Sequence, residues 1–121
     1  MSKALLIIAH GSRQRQANQF VFDQVKALSE KLNKKYHAVL PAFLELGEPD
    51  VMSACTSLAQ AHIGHVDVLP FFLAPGRHVT LDIPQRLVEV TQRFPQLQLQ
   101  LLPFLGESEA LSAALQAWLT D

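Results

Sequence analysis

The chain has 121 residues, 49% of them hydrophobic and 17% charged, which is enough apolar material for one packed domain without disulfides and argues against disorder. Ten Lys and Arg against eleven Asp and Glu leave a formal net charge of −1, so no global basic field recruits nucleic acid or an anionic membrane. The single cysteine, Cys55, allows no internal disulfide and no Cys-x-x-Cys metal site, which fits a reducing cytoplasm.

The first predicted element is a strand over Ala4–Ala9, an apolar run too short for a signal-peptide core or for the ~20 residues of a membrane span. The expectation is a protein neither secreted nor membrane-inserted. A helix from about Arg15 to Lys35 follows, with Ala17, Val21, Val25, Leu28 and Leu32 as its buried stripe. Ala38–Leu44 reads as the second strand. The second helix is expected to start near Pro49, to bury Val51, Cys55 and Leu58, and to stop at Gly64.

Val66–Leu73 reads as the third strand, and Asp82-Ile83-Pro84 announces the third helix, its carboxylate suited to capping free backbone N–H groups. Ile83, Leu87, Val90 and Phe94 form that helix's stripe. Leu97–Leu102 alternates Leu with Gln, as an edge strand with one covered face does. A last helix from about Ser108 is expected to bury Leu111, Leu115 and Trp118. Strands alternating with helices predict a single α/β domain over residues 1–121, a four-stranded parallel sheet flanked by helices, with no linker or repeat.

Three chemistry-bearing residues, His10, Glu45 and His78, each follow one of the first three predicted strands. If those strands are neighbours, the three side chains converge on the carboxyl edge of the sheet, where ligands bind in open α/β folds. Each alone reads as readily as a strand-end or surface residue; convergence is the argument for an enzyme. Two imidazoles and a carboxylate suit cobalt, iron, nickel or zinc better than magnesium or calcium. Glu45 stands among Phe43, Leu44 and Leu46, where loss of water disfavours a charge unless a cation compensates. Gly11, Ser12, Arg13, Gly76 and Arg77 supply glycine turns, open amides and positive charge for a carboxylate. His37, His62 and His65 fall at the opposite ends of the strands and read as structural or surface residues.

Ala9-His10-Gly11-Ser12-Arg13, the segment 43–49, the segment 70–79, Asp82-Ile83-Pro84 and Leu105-Gly106 together resemble the CbiX/SirB family of class II tetrapyrrole chelatases, in its short form, over nearly the whole chain. The resemblance implies a chelatase-like domain that inserts a divalent metal, cobalt by preference, with iron or nickel as alternatives, into sirohydrochlorin without ATP, in cobalamin or siroheme synthesis. It implies His10, His78 and Glu45 as catalytic and metal-holding residues, with Gly11, Ser12, Arg13, Gly76 and Arg77 against the substrate. It also implies no tightly bound cofactor and a homodimer, because longer relatives resemble two such halves in one chain. The lone Cys55 excludes the cysteine-bound cluster of some plant-type relatives. Two competing readings are a non-catalytic metal or tetrapyrrole carrier and a histidine-phosphatase-like reaction; the second wants an arginine before the histidine, where this chain has Ala9.

Overall fold

The computed structural model describes residues 2–120. In chain order the elements are β1 (Lys3–Ala9), α1 (Arg15–Lys31), β2 (Ala38–Phe43), α2 (Val51–Gln60), β3 (His65–Pro70), a π-helical turn (His78–Asp82) running into α3 (Ile83–Arg93), β4 (Gln98–Leu101), a short 3-10 turn (Leu105–Glu107) and α4 (Glu109–Leu119). The four strands are all parallel, in the order β2-β1-β3-β4. The predicted α/β architecture is therefore present, with β1 between β2 and β3.

Both faces of β1 are covered, which is why its sequence is uninterruptedly apolar rather than alternating. Leu5, Ile7 and Ala9 face α1, packing with Val39 and Phe43 against Val21 and Val25. Ala4, Leu6 and Ile8 face the other way, with Ala42, Val66 and Val68 against Ala54, Cys55 and Leu58 of α2 and Ile83, Leu87 and Val90 of α3. Pro41 is tolerated in β2 because that strand is an edge. Cys55 is fully buried in the core, as its place on the α2 stripe predicts, and burial pushes its thiol up to about 11.

Several boundaries differ from those predicted. The first helix ends at Lys31, and Ala17 is exposed at its open first turn. The second begins at Val51 because Asp50 caps it, accepting from the Ser53 N–H at 2.8 Å; Pro49 precedes the cap. Its stop is not Gly64 but His62, which takes a left-handed conformation (φ 61°), one that histidine adopts more readily than most residues. The third strand closes at Pro70, leaving Phe71, Phe72 and Leu73 in the loop. The largest departure is α4, capped by Ser108, which buries none of its residues; Leu115 and Trp118 are 42% and 77% exposed. Leu111 is half-buried. No helix among the described residues is long and apolar enough to cross a membrane.

One polar cluster in the core has no counterpart in the sequence reading. Asp67, in the middle of β3 and 4% exposed, accepts from the Tyr36 hydroxyl at 2.6 Å and pairs with Lys3 Nζ at 3.3 Å. Burial first, then the bond to Asp67 and its negative charge, push the Tyr36 phenol up from 10.0 to about 12. The folded state thus holds this proton more tightly than the unfolded chain. That stability is fully present below pH ~10 and is lost as pH rises toward ~12. Tyr36→Phe is expected to cost about 1–2 kcal/mol at neutral pH and to flatten the alkaline fall; urea unfolding of both proteins from neutral to strongly alkaline pH measures this.

Candidate active site

The site is built by hydrogen bonding that continues past the strand ends. The β1–β2 ladder closes formally at Ala9 opposite Phe43, but the Leu44 N–H still donates to the Ala9 carbonyl and the Glu45 N–H to the His10 carbonyl, both at 3.0 Å. On the other side of β1, the Phe71 N–H donates to the Ile8 carbonyl at 2.8 Å. The chain turns one way out of β1, into α1, and the opposite way out of β3, into α3, so the two loops part at a topological switch point. Gly11 makes the close approach possible. Its φ is 98°, and a Cβ there would overlap the Glu45 carbonyl oxygen.

His10, Glu45 and His78 do meet on this edge. His10 Nε2 lies 3.0 Å from Glu45 Oε1, and its Nδ1 lies 2.9 Å from the Gly11 carbonyl oxygen. Its ring centroid is 4.4 Å from that of His78, the planes inclined at 60°. His78 Nδ1 lies 2.8 Å from Asp82 Oδ2, and the ring stacks on Phe72 at 6.2 Å. Both nitrogens of His10 thus face acceptor oxygens, a set satisfied by an imidazolium or by a cation replacing the proton between Nε2 and Oε1. Each imidazole also has its Nδ1 held by an oxygen, as metal-binding histidines usually do.

The desolvation expected at Glu45 is absent. Its side chain is 58% exposed, because the apolar neighbours Phe43 and Leu44 turn into the core while Glu45 turns out at the edge. Among the described residues no three His, Cys, Asp or Glu side chains are gathered closely enough to hold a metal ion between them. His10 and Glu45 are in contact, and His78 adjoins them through its ring. The edge is open; a neighbouring depression of about 1100 Å³ is lined by Arg15, Asn18, Phe22 and Glu48 rather than by the histidines.

The rim residues divide. Arg13 and Arg77 are exposed and enter no ion pair among the described residues, and Gly76 is exposed with open space around it. The Ser12 amide, expected to be open, is not: it donates to Asn18 Oδ1 at 3.0 Å, and the Ser12 hydroxyl accepts from the Gln14 N–H. Asn18 was missed in the sequence. Its Nδ2 donates to the carbonyls of both Ser12 and Leu46 at 2.9 Å, tying the loop after β1 to the loop after β2. Leu46 is held there with φ 57° and 48% exposure, a strained conformation beside Glu45. The one sequence signal was an amide side chain near the start of α1. Asp82, read as a helix cap, has no capping bond; its carboxylate goes to His78 instead.

Fold and site define an open parallel α/β domain with two imidazoles and a carboxylate at the switch point of its sheet. The CbiX family model matches residues 4–121, and the chain belongs to the CbiX family. It is 36% identical to the chloroplastic sirohydrochlorin ferrochelatase of Arabidopsis thaliana over 107 residues, 88% of this chain and 47% of that protein. It is 33% identical over 84 residues to the sirohydrochlorin cobaltochelatase of Methanopyrus kandleri, 69% of this chain and 57% of the relative. The crystal structure of the sirohydrochlorin chelatase SirB from Bacillus subtilis subspecies spizizenii in complex with cobalt superposes with a TM-score of 0.86 at 24% identity, covering 100% of this chain and 51% of that one. The chain spans about half the length of the ferrochelatase and of SirB.

Because the loop after β2 rests on Gly11, Gly11→Ala is expected to push the Glu45 backbone away from His10. We expect a loss of about 1–3 kcal/mol of stability from the strained φ alone and loss of the His10–Glu45 contact. Denaturant unfolding, with the His10 ring followed by NMR, checks both.

Proposed function

We propose that this protein inserts a divalent metal ion into sirohydrochlorin without ATP, with cobalt favoured and iron or nickel as alternatives, in cobalamin or siroheme synthesis. The observation that carries the reading is the meeting of His10, Glu45 and His78 on the open carboxyl edge of a CbiX-family sheet. The names of the relatives supply the macrocycle, and they include both ferrochelatases and cobaltochelatases.

Insertion removes two inner pyrrole protons as the metal enters, so the site must both deliver a cation and accept protons. His10 Nε2 and Glu45 Oε1 present a lone-pair nitrogen and a carboxylate to the same point, and the His78 ring lies against His10. A metal leaving that point for the macrocycle frees these groups to take the protons. The metal here is substrate, not a resident cofactor. Arg13, Arg77 and the Gly11 and Gly76 amides are assigned to the substrate's carboxylates, and Ser12 through its hydroxyl alone. A cytoplasmic setting suits the unpaired, buried Cys55 thiol.

A single sheet edge is a shallow wall for a macrocycle, and we assign the opposite wall to a second copy of the chain. The bare Leu115, Trp118 and Leu119 side of α4 supports a homodimer; on the α1 side of the sheet, Leu69 in β3 and Phe71 and Leu102 just past β3 and β4 are only half-buried. Replacing Trp118 and Leu119 together by Glu is expected to convert a dimer to monomers in light scattering without loss of helix content. A wild-type monomer would remove the assignment.

The test of activity is anaerobic mixing with sirohydrochlorin and Co²⁺, Fe²⁺ or Ni²⁺, with the macrocycle's absorbance compared with the spontaneous rate. His10→Ala and His78→Ala are each expected to lower the rate at least ~10-fold, about 1.4 kcal/mol of transition-state stabilisation, with the fold intact because neither side chain belongs to the core. Wild-type rates in both variants would sink the reading. Binding of metal or macrocycle without acceleration by the wild type would leave a carrier.

A further inference from the structure

We propose that Asp82 is a positioning residue, one that fixes the tautomer and orientation of His78 so that Nε2 presents its lone pair. The role of the site rests on the chelatase reading, but the contact itself does not. His78 Nδ1 and Asp82 Oδ2 are 2.8 Å apart, and an ionised carboxylate only accepts hydrogen bonds. The shared proton therefore sits on Nδ1, and in the neutral imidazole Nε2 is left as the acceptor.

The local fold is arranged for this contact rather than for capping. His78 opens and Asp82 closes the π-helical turn, in which the Ile83 N–H reaches back to the His78 carbonyl. Single π turns inside helices are rare and occur often at functional sites. Asp82 has helical dihedrals (φ −66°, ψ −45°) and makes no bond to the free N–H groups of α3. The next residue, Ile83, opens α3 and is fully buried in the core shared with the sheet and α2, which anchors the backbone carrying the carboxylate. On its other side the imidazole stacks on Phe72, so the ring is held by a charge at one edge and an aromatic face. His10 receives the equivalent support from the Gly11 carbonyl, which no substitution can remove; Asp82 is the support that can be altered. Carboxylate-to-histidine pairs of this kind tune and orient metal-binding imidazoles.

The first measurement is ¹⁵N NMR of the imidazoles in the metal-free wild type at about pH 8, where an ordinary histidine is neutral. The expected result is His78 with Nδ1 protonated and Nε2 bare. The opposite tautomer in the wild type would overturn the proposal without any variant. Asp82→Ala is expected to move His78 toward the Nε2-protonated form that free histidine favours in water. It is also expected to weaken Co²⁺ binding by roughly 10- to 100-fold, with Asp82→Glu recovering part of the loss. An unchanged tautomer and unchanged Co²⁺ affinity in a folded Asp82→Ala protein would overturn it. None of these readouts uses sirohydrochlorin. Failure of the wild type to insert metal would sink the chelatase reading alone, whereas an unmoved tautomer beside good wild-type turnover would sink the role of Asp82 alone.

Discussion

The site depends on how far the β1–β2 ladder runs before the two chains part. Two main-chain bonds beyond the last formal strand pair, Leu44 to Ala9 and Glu45 to His10, carry the parallel register into the loops. They deliver the His10 and Glu45 side chains to one point. Had the ladder ended at Phe43, Glu45 would sit on an unsupported loop of a chain already at the sheet's edge. Gly11 permits this extension, since any Cβ would collide with the carbonyl of Glu45. Asn18 then fixes the outcome by bonding the carbonyls of both departing loops. Backbone geometry, rather than side-chain packing, therefore sets the distance between the imidazole and the carboxylate.

That origin explains how the site can be both ordered and open. The catalytic candidates are 37%, 58% and 44% exposed at His10, Glu45 and His78, so their placement owes little to a surrounding apolar shell. Each is instead fixed by an anchor below it. Ala9 and Phe43 are buried beneath His10 and Glu45, and Ile83 is buried beside Asp82. A ligand approaching from solvent meets the polar atoms without displacing core.

Most of this plan was legible in the residues, and the reasons for the failures are physical. Strands covered on both faces read as unbroken apolar runs, so β1, β2 and β3 and the chemistry after them were visible. The partner of a polar residue was not. Asp82 beside Ile83 and Pro84 carries every mark of a helix cap, and only the π turn shows its carboxylate turned to His78. Ser12 looked like an open amide because nothing in the local sequence reveals that Asn18, six residues on, folds back to it. Asp67 was hidden inside an apolar run because its partners, Lys3 and Tyr36, are distant in sequence. In α4 the apolar stripe was correctly seen and wrongly assigned. Periodicity shows that a helix has a face to bury, not whether its own sheet receives it.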